Sequence, residues 1–273
     1  MFKIINAIKI QEEIHTDGHS PLRIFGDDFK DYIVKNDKGH NPPVCILNEI
    51  FANQFLNEWK ISTPTMALMN VNIDLLEDNQ LSINHKPSFY SKYPCFASEY
   101  INYIYEVNQL IINQSKEVFN KIENPLDIFR ITLFDTWVEN DDRKPSNYNL
   151  LFAPNNGKFK ILAIDNAFIF SSLSYNHLNY TEASVSVNDH LLVSDLGFLV
   201  KKYYPIDQDF IKAEREYFYF CVQKCQKNFN TIAQNIKLIY KVEDETIETL
   251  KTFLFNKERN KNVFDEYIYR INQ

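Results

Sequence analysis

Glycine is scarce, with five in 273 residues. A backbone this poor in the one residue that enters positive φ freely carries no glycine-rich loop. Gly18, Gly26, Gly39, Gly157 and Gly197 all fall in segments that read as turns. Cysteine is present only as Cys45, Cys95, Cys221 and Cys225. They form no C-x-x-C pair and no Cys/His cluster with zinc spacing, which excludes a structural zinc module. Free core thiols in a reducing compartment are the expectation. Positive charge is in deficit: 29 Lys and Arg stand against 36 Asp and Glu, a net charge of −7. The densest basic run, Lys257 to Lys261, is short, so direct nucleic-acid binding by phosphate neutralisation is not expected. No apolar run approaches the roughly 18–20 residues of a membrane span, and the N-terminus carries no apolar leader. A cytoplasmic protein is expected.

Aromatic residues, by contrast, are plentiful, with 22 Phe and 16 Tyr in a chain that is 45% hydrophobic and 24% charged. That balance supports one large domain or two small ones. Phe2 to Gln11, Leu22 to Phe25 and Asp31 to Lys35 are short apolar runs parted by polar turns, the pattern of an antiparallel meander. From Val44 to about Glu58, Ile46, Leu47, Ile50, Phe51 and Phe55 recur at helical spacing. Met66 to Ile73, Leu81 to Ile83 and Phe96 to Ile104 read as further strands. Asn124-Pro125-Leu126-Asp127 is a helix start, and the helix runs to about Glu139. Tyr148 to Phe152 and Phe159 to Ile164 form a hairpin through Pro154-Asn155-Asn156-Gly157. Two or three amphipathic helices follow from residue 207 to 271. Strands first and helices after give the α+β class.

The hairpin is framed by polar residues. Asn140-Asp141-Asp142-Arg143-Lys144-Pro145-Ser146-Asn147 precedes it, and Asp165-Asn166 follows. Phosphoryl transfer needs a carboxylate to orient a hydroxyl and hard oxygen ligands for Mg²⁺ beside the phosphates. Its kinase form places an Asp in a loop, an Asn five residues later and a second Asp after a strand. Asp142, Asn147 and Asp165 have that order and spacing. The bland alternative is an Asx-rich turn bonding only its own backbone. Lys35 ends a strand, as a phosphate-pairing Lys does, and Glu49 on the next helix is its natural partner. The segment His15 to Pro21, with Gly18, His19 and Ser20, lies where a phosphate-covering loop belongs. Trp59 and Trp137 read as core, and His177 and His190 as solvated residues flanking a polar loop.

Taken in order, these motifs resemble the HipA-like kinases, in the compact branch without an extra N-terminal subdomain. The matching stretches are Asp17-Gly18-His19-Ser20-Pro21, Tyr32-Ile33-Val34-Lys35, Leu47-Asn48-Glu49, Phe96-Ala97-Ser98-Glu99-Tyr100, Asn140 to Arg143 with Asn147 and Asn149, and Ile164-Asp165-Asn166. The resemblance implies a bilobal protein-kinase-like fold. Its small β-rich N-lobe would span residues 1–104 and its mainly helical C-lobe residues 105–273. It further implies ATP and Mg²⁺ as cofactors, with Asp142 as catalytic base and Asn147 and Asp165 as metal ligands. Lys35 would meet the phosphates, and Glu99 and Tyr100 would form the hinge that reads adenine. Members phosphorylate Ser or Thr of proteins, some act as toxins, and some modify themselves in the phosphate loop, where Ser20 is the candidate. A protein substrate and a cognate antitoxin or regulator are the implied partners. Lys144 where a His is common, and Asn166 where Gly or His is common, leave the substrate open, with a kinase for lipid head groups or small molecules as the alternative. A nucleotide-binding pseudokinase or interaction module is the rival from another class, and the presence of Lys35, Glu49, Asp142, Asn147 and Asp165 argues against it.

Overall fold

The computed structural model describes residues 1–16, 20–79, 81–102, 104–107, 115–172, 175–178 and 190–273. The N-terminal part is a five-stranded barrel. β1 (Ile4–Glu13), β2 (Leu22–Gly26) and β3 (Asp31–Lys35) form the expected antiparallel run. β5 (Cys95–Glu99) then pairs with both β3 and β4 (Met66–Asn70). β4 returns to lie parallel to β1, Ile4 opposite Leu68, and so closes the sheet in the order β1-β2-β3-β5-β4. The expected meander is therefore part of a closed sheet. Closure lets inward residues from all five strands share one interior: Ile5, Ile10, Ile24, Tyr32, Val34, Met69 and Ala97.

Helix α1 (Val44–Glu58) crosses from the barrel to the helical part and is buried on nearly every face. Its buried polar residues are therefore matched individually. Asn48 donates to Ala167 O at 2.8 Å and accepts from the Tyr175 hydroxyl at 2.7 Å, while Asn53 donates to Pro64 O at 3.0 Å. One expected strand is shorter than expected and another is absent. β4 stops at Asn70 because Asn72 caps a short helix, α2 (Ile73–Glu77), by accepting from Asp74 N. Leu81 to Ile83 lies in a turn, with Ile83 exposed.

The remaining chain is mainly helical: α3 (Lys116–Lys121), α4 (Leu126–Val138), α5 (Asp195–Tyr203), α6 (Gln208–Tyr240), α7 (Asp244–Phe255) and α8 (Lys257–Asn272). Between α4 and α5 lies the expected hairpin, β7 (Leu150–Asn155) and β8 (Lys158–Ala163), joined at Asn156-Gly157. Both turn residues have positive φ, 48° and 78°, the two-residue geometry whose twist suits a hairpin. A two-residue strand, β6 (Tyr105–Glu106), extends it to three strands. Gly197 sits in α5 rather than in a turn. A Cβ there would lie 2.4 Å from Leu192 O, so the position needs glycine for space.

One aromatic core binds these helices to α1. Trp59 and Trp137, both fully buried as expected, stack at 5.5 Å, and Phe51 stacks on Phe229 of α6 at 5.6 Å. His190 is buried, with Nε2 3.0 Å from Gln273 Oε1, whereas His177 is exposed as expected. The solvated reading of His190 fails: the ring is buried and bonded to Gln273, just past the last helix. Among the described residues no helix is long and apolar enough to cross a membrane.

Candidate active site

Three charged side chains meet between the barrel and the hairpin. Lys35 closes β3, Glu49 lies in α1, and Asp165 follows β8, separated from Lys35 by 130 residues in sequence. Lys35 Nζ donates to Glu49 Oε1 at 2.5 Å and to Asp165 Oδ1 at 2.7 Å. Burial works against the Lys35 charge, but the two carboxylates outweigh it and hold the ammonium above its ordinary value. Burial pushes the Glu49 carboxyl up, opposed by Lys35. The other Glu49 oxygen accepts from Asn166 N at 3.0 Å, so α1 grips the backbone beside Asp165 as well as the lysine. Asp165 itself adopts φ 53°, a left-handed conformation that Asp tolerates better than most residues.

The second cluster is built by a tight turn. Lys144 and Asn147 exchange backbone hydrogen bonds at 3.0 and 2.9 Å, with Pro145-Ser146 at the tip. This turn folds Asn147 back onto Asp142, which is why a spacing of five brings them together. Asn147 Nδ2 lies 3.1 Å from both Asp142 oxygens. Asn149 Nδ2 donates to Asp142 Oδ2 at 2.8 Å. Asp141, next door, is exposed.

Arg143 fastens the two clusters together. Its fully buried guanidinium pairs with Asp135 of α4 and donates to Ile164 O at 2.8 Å and Asn166 Oδ1 at 3.1 Å. Burial pushes the Asp135 carboxyl up to about 6 despite Arg143. The loop start is held from the far end of the chain. Glu139, at φ 50°, ends α4 and accepts from Arg259 of α8 at 3.0 Å and from the Ser171 hydroxyl at 2.6 Å. The motif contained Arg143, but the partners that define its role, Asp135 and Asn166, come from separate elements. No local pattern marks Glu139 and Arg259 as a pair.

The other expected residues divide. Gly18 and His19 lie outside the described residues. Ser20 is buried, its N bonded to Thr16 Oγ1 at 3.1 Å and its hydroxyl accepting from Asn84 at 3.3 Å. Glu99 and Tyr100 are not in the cluster. The Glu99 carboxylate binds Lys30 at 2.8 Å, and the Tyr100 ring lies under the Arg23 guanidinium at 4.0 Å. Their backbone N–H groups donate to Thr65 O and Asp31 O, both at 2.8 Å.

The structure thus brings Lys35, Glu49 and Asp165 together, and Asp142 with Asn147, in the order of the motifs, and adds Asn149 and Arg143 as ties between them. The family model of the HipA-like kinases matches residues 8–195, more than half of the chain. The chain belongs to the HipA-like kinase family. Among solved structures, this HipA-like chain is similar to the crystal structure of a Helicobacter pylori proinflammatory kinase, CtkA. The likeness covers 100% of this chain and 98% of that one at a TM-score of 0.57 and 13% identity, a similarity of fold. No curated protein sequence matches the chain.

Proposed function

We propose that the chain is a Mg-ATP-dependent protein serine/threonine kinase. Its nucleotide would lie between a small lobe of residues 1–104 and a helical lobe of residues 105–273. The observation that carries this reading is the convergence of Lys35, Glu49 and Asp165 beside the loop that presents Asp142 and Asn147. Among the described residues no three His, Cys, Asp or Glu side chains form a metal cage. The donors that fit Mg²⁺ are the Asp165 carboxylate and the Asn147 amide oxygen. This suits a cation that is bound by one or two protein oxygens together with phosphates. Asn147 Nδ2 is committed to Asp142, which turns its Oδ1 away from that carboxylate. Mg²⁺, when bound, supplies charge neutralisation on the transferred phosphoryl group.

The side chains do the rest by position. Lys35, kept charged by its two carboxylates, would meet the phosphates, and Glu49 fixes where the ammonium points. Asp142 would accept the proton of the acceptor hydroxyl, its carboxylate oriented by two amides. Arg143 fixes the distance between that base and the Asp165 turn, a positioning contribution of the kind that dominates phosphoryl transfer. Intact-mass measurement after incubation with Mg-ATP, alone and with cell lysate, tests the reading. A mass gain on a Ser or Thr of a protein, lost in Asp142→Asn, supports it. Labelling of inositol lipids but no protein, or no transfer at all, overturns it in favour of a lipid kinase or a pseudokinase. A toxin role with a cognate antitoxin would require the labelled protein to be essential for growth.

A further inference from the structure

We propose that Asn149 is a positioning residue for phosphoryl transfer, its amide holding the Asp142 carboxylate in the orientation that receives the acceptor's proton. The inference rests on the reading of Asp142 as the base. Two amides reach that carboxylate, but not equally. Asn147 Nδ2 lies at the same 3.1 Å from both oxygens, whereas Asn149 Nδ2 is 2.8 Å from Oδ2. The Asn149 contact therefore selects one oxygen and leaves Oδ1 as the one turned to an acceptor. Asn147 also has a second duty in the proposed mechanism, since its Oδ1 would hold the cation. Asn149 has no metal duty there, and its mount is rigid. Its backbone carbonyl accepts from Ile164 N at 3.0 Å, one residue before Asp165, and β7 begins at the next residue.

The residue type fits the same purpose. Asn149 has φ 46°, a left-handed conformation open routinely to Gly and, among side-chain-bearing residues, best to Asn and Asp. Of these, only Asn offers an N–H to a carboxylate. That restriction supplies two clean variants. Asn149→Gly keeps the backbone and removes the amide. Asn149→Asp keeps backbone and volume and replaces the donor with an acceptor.

The experiment compares both variants with the wild type and with Asp142→Asn. It reads melting temperature, calorimetric Mg-ATP affinity, and single-turnover release of labelled phosphate from Mg-ATP to water, to casein and to the chain itself. In parallel, the Asn149 side-chain amide is followed by nitrogen-15 NMR, assigned by its loss in Asn149→Gly. The expected result is unchanged ATP affinity and KM, with kcat reduced about 10–100-fold in Asn149→Gly, the loss that follows from misplacing a reacting group, and further in Asn149→Asp. The Asn149 amide signal should shift in Asp142→Asn. A wild-type kcat in Asn149→Gly, a loss confined to KM for ATP, or an amide signal indifferent to Asp142→Asn each overturns the inference. If Asn149→Gly fails to fold, Asn149→Asp carries the kinetic comparison. Failure of the underlying reading is distinguishable: wild-type transfer by Asp142→Asn sinks the base and this inference together. An inactive Asp142→Asn beside a fully active Asn149→Gly sinks the inference alone.

Discussion

Asp141 and Asp142 are neighbours in sequence and opposites in surroundings. Asp142 receives three amide contacts from Asn147 and Asn149, while Asp141 lies exposed at the loop surface. Asp142→Asn is therefore expected to lower transfer by roughly 10²–10⁴-fold, the contribution of a general base, with ATP binding kept. Asp141→Asn should retain most activity. Single-turnover assays on the folded variants check this, and the reverse pattern would move the base to Asp141. Asp165→Asn should shrink the Mg²⁺-dependent part of the thermal stabilisation by ATP, since a ligand stabilises only through its affinity for the folded state. An equal Mg²⁺-dependent shift in that variant would remove Asp165 from the metal. Asp142, Asn147, Lys35, Glu49 and Asp165 were legible because motif order and spacing encode them. The tie from Arg143 to Asp135 and Asn166 was not, since it depends on how three elements meet.

At the scale of elements, local signals decided what could be read. The hairpin was visible in Asn156-Gly157, whose positive φ angles suit those residue types. The end of β4 was missed because the cap at Asn72 was read as the continuation of an apolar run. The start of α5 was missed likewise, although Ser194 accepts from Gly197 N at 3.2 Å, an ordinary N-cap. Two glycines make the contrast testable. Around Gly157 there is open space, so Gly157→Ala should cost only the left-handed strain of about 1–2 kcal/mol. Gly197→Ala would press a methyl against the Leu192 carbonyl, which cannot swing aside as a side-chain tip can. Overpacking of roughly 1–3 kcal/mol or more then outweighs the helix propensity gained. Urea unfolding midpoints should rank wild type, Gly157→Ala, Gly197→Ala in falling order; an unperturbed Gly197→Ala would show that Leu192 yields.

Across the whole molecule, the closed barrel escaped sequence reading because its closing pair joins Ile4 to Leu68, far apart in the chain and of no local signature. A polar cluster is buried beside Ser20. His85 is buried there with Nδ1 2.5 Å from the Tyr90 hydroxyl and Nε2 3.2 Å from Glu13 of β1, with the Ser20 backbone bonded to it and the Lys38 charge nearby. Burial, outweighing Glu13, lowers the His85 pKa from its ordinary 6.5. The unfolded chain thus takes up the proton first on acidification. This contribution to stability is complete above about pH 6.5 and declines as pH falls from there toward the folded-state pKa. Urea midpoints measured from about pH 7 down to about pH 5 should fall more steeply for the wild type than for His85→Gln. Parallel slopes would clear His85 of the effect. The contact between Arg259 and Glu139 has a consequence in time. The loop that carries Asp142 begins at a residue whose buried cation lies 120 positions further along the chain. At about 5–20 residues per second, a ribosome needs roughly 6–24 s after placing Glu139 to place Arg259. A nascent chain carries every proposed reacting group during that interval, but not the clamp that seats them. The proposed transfer should therefore begin only after Arg259 has been made.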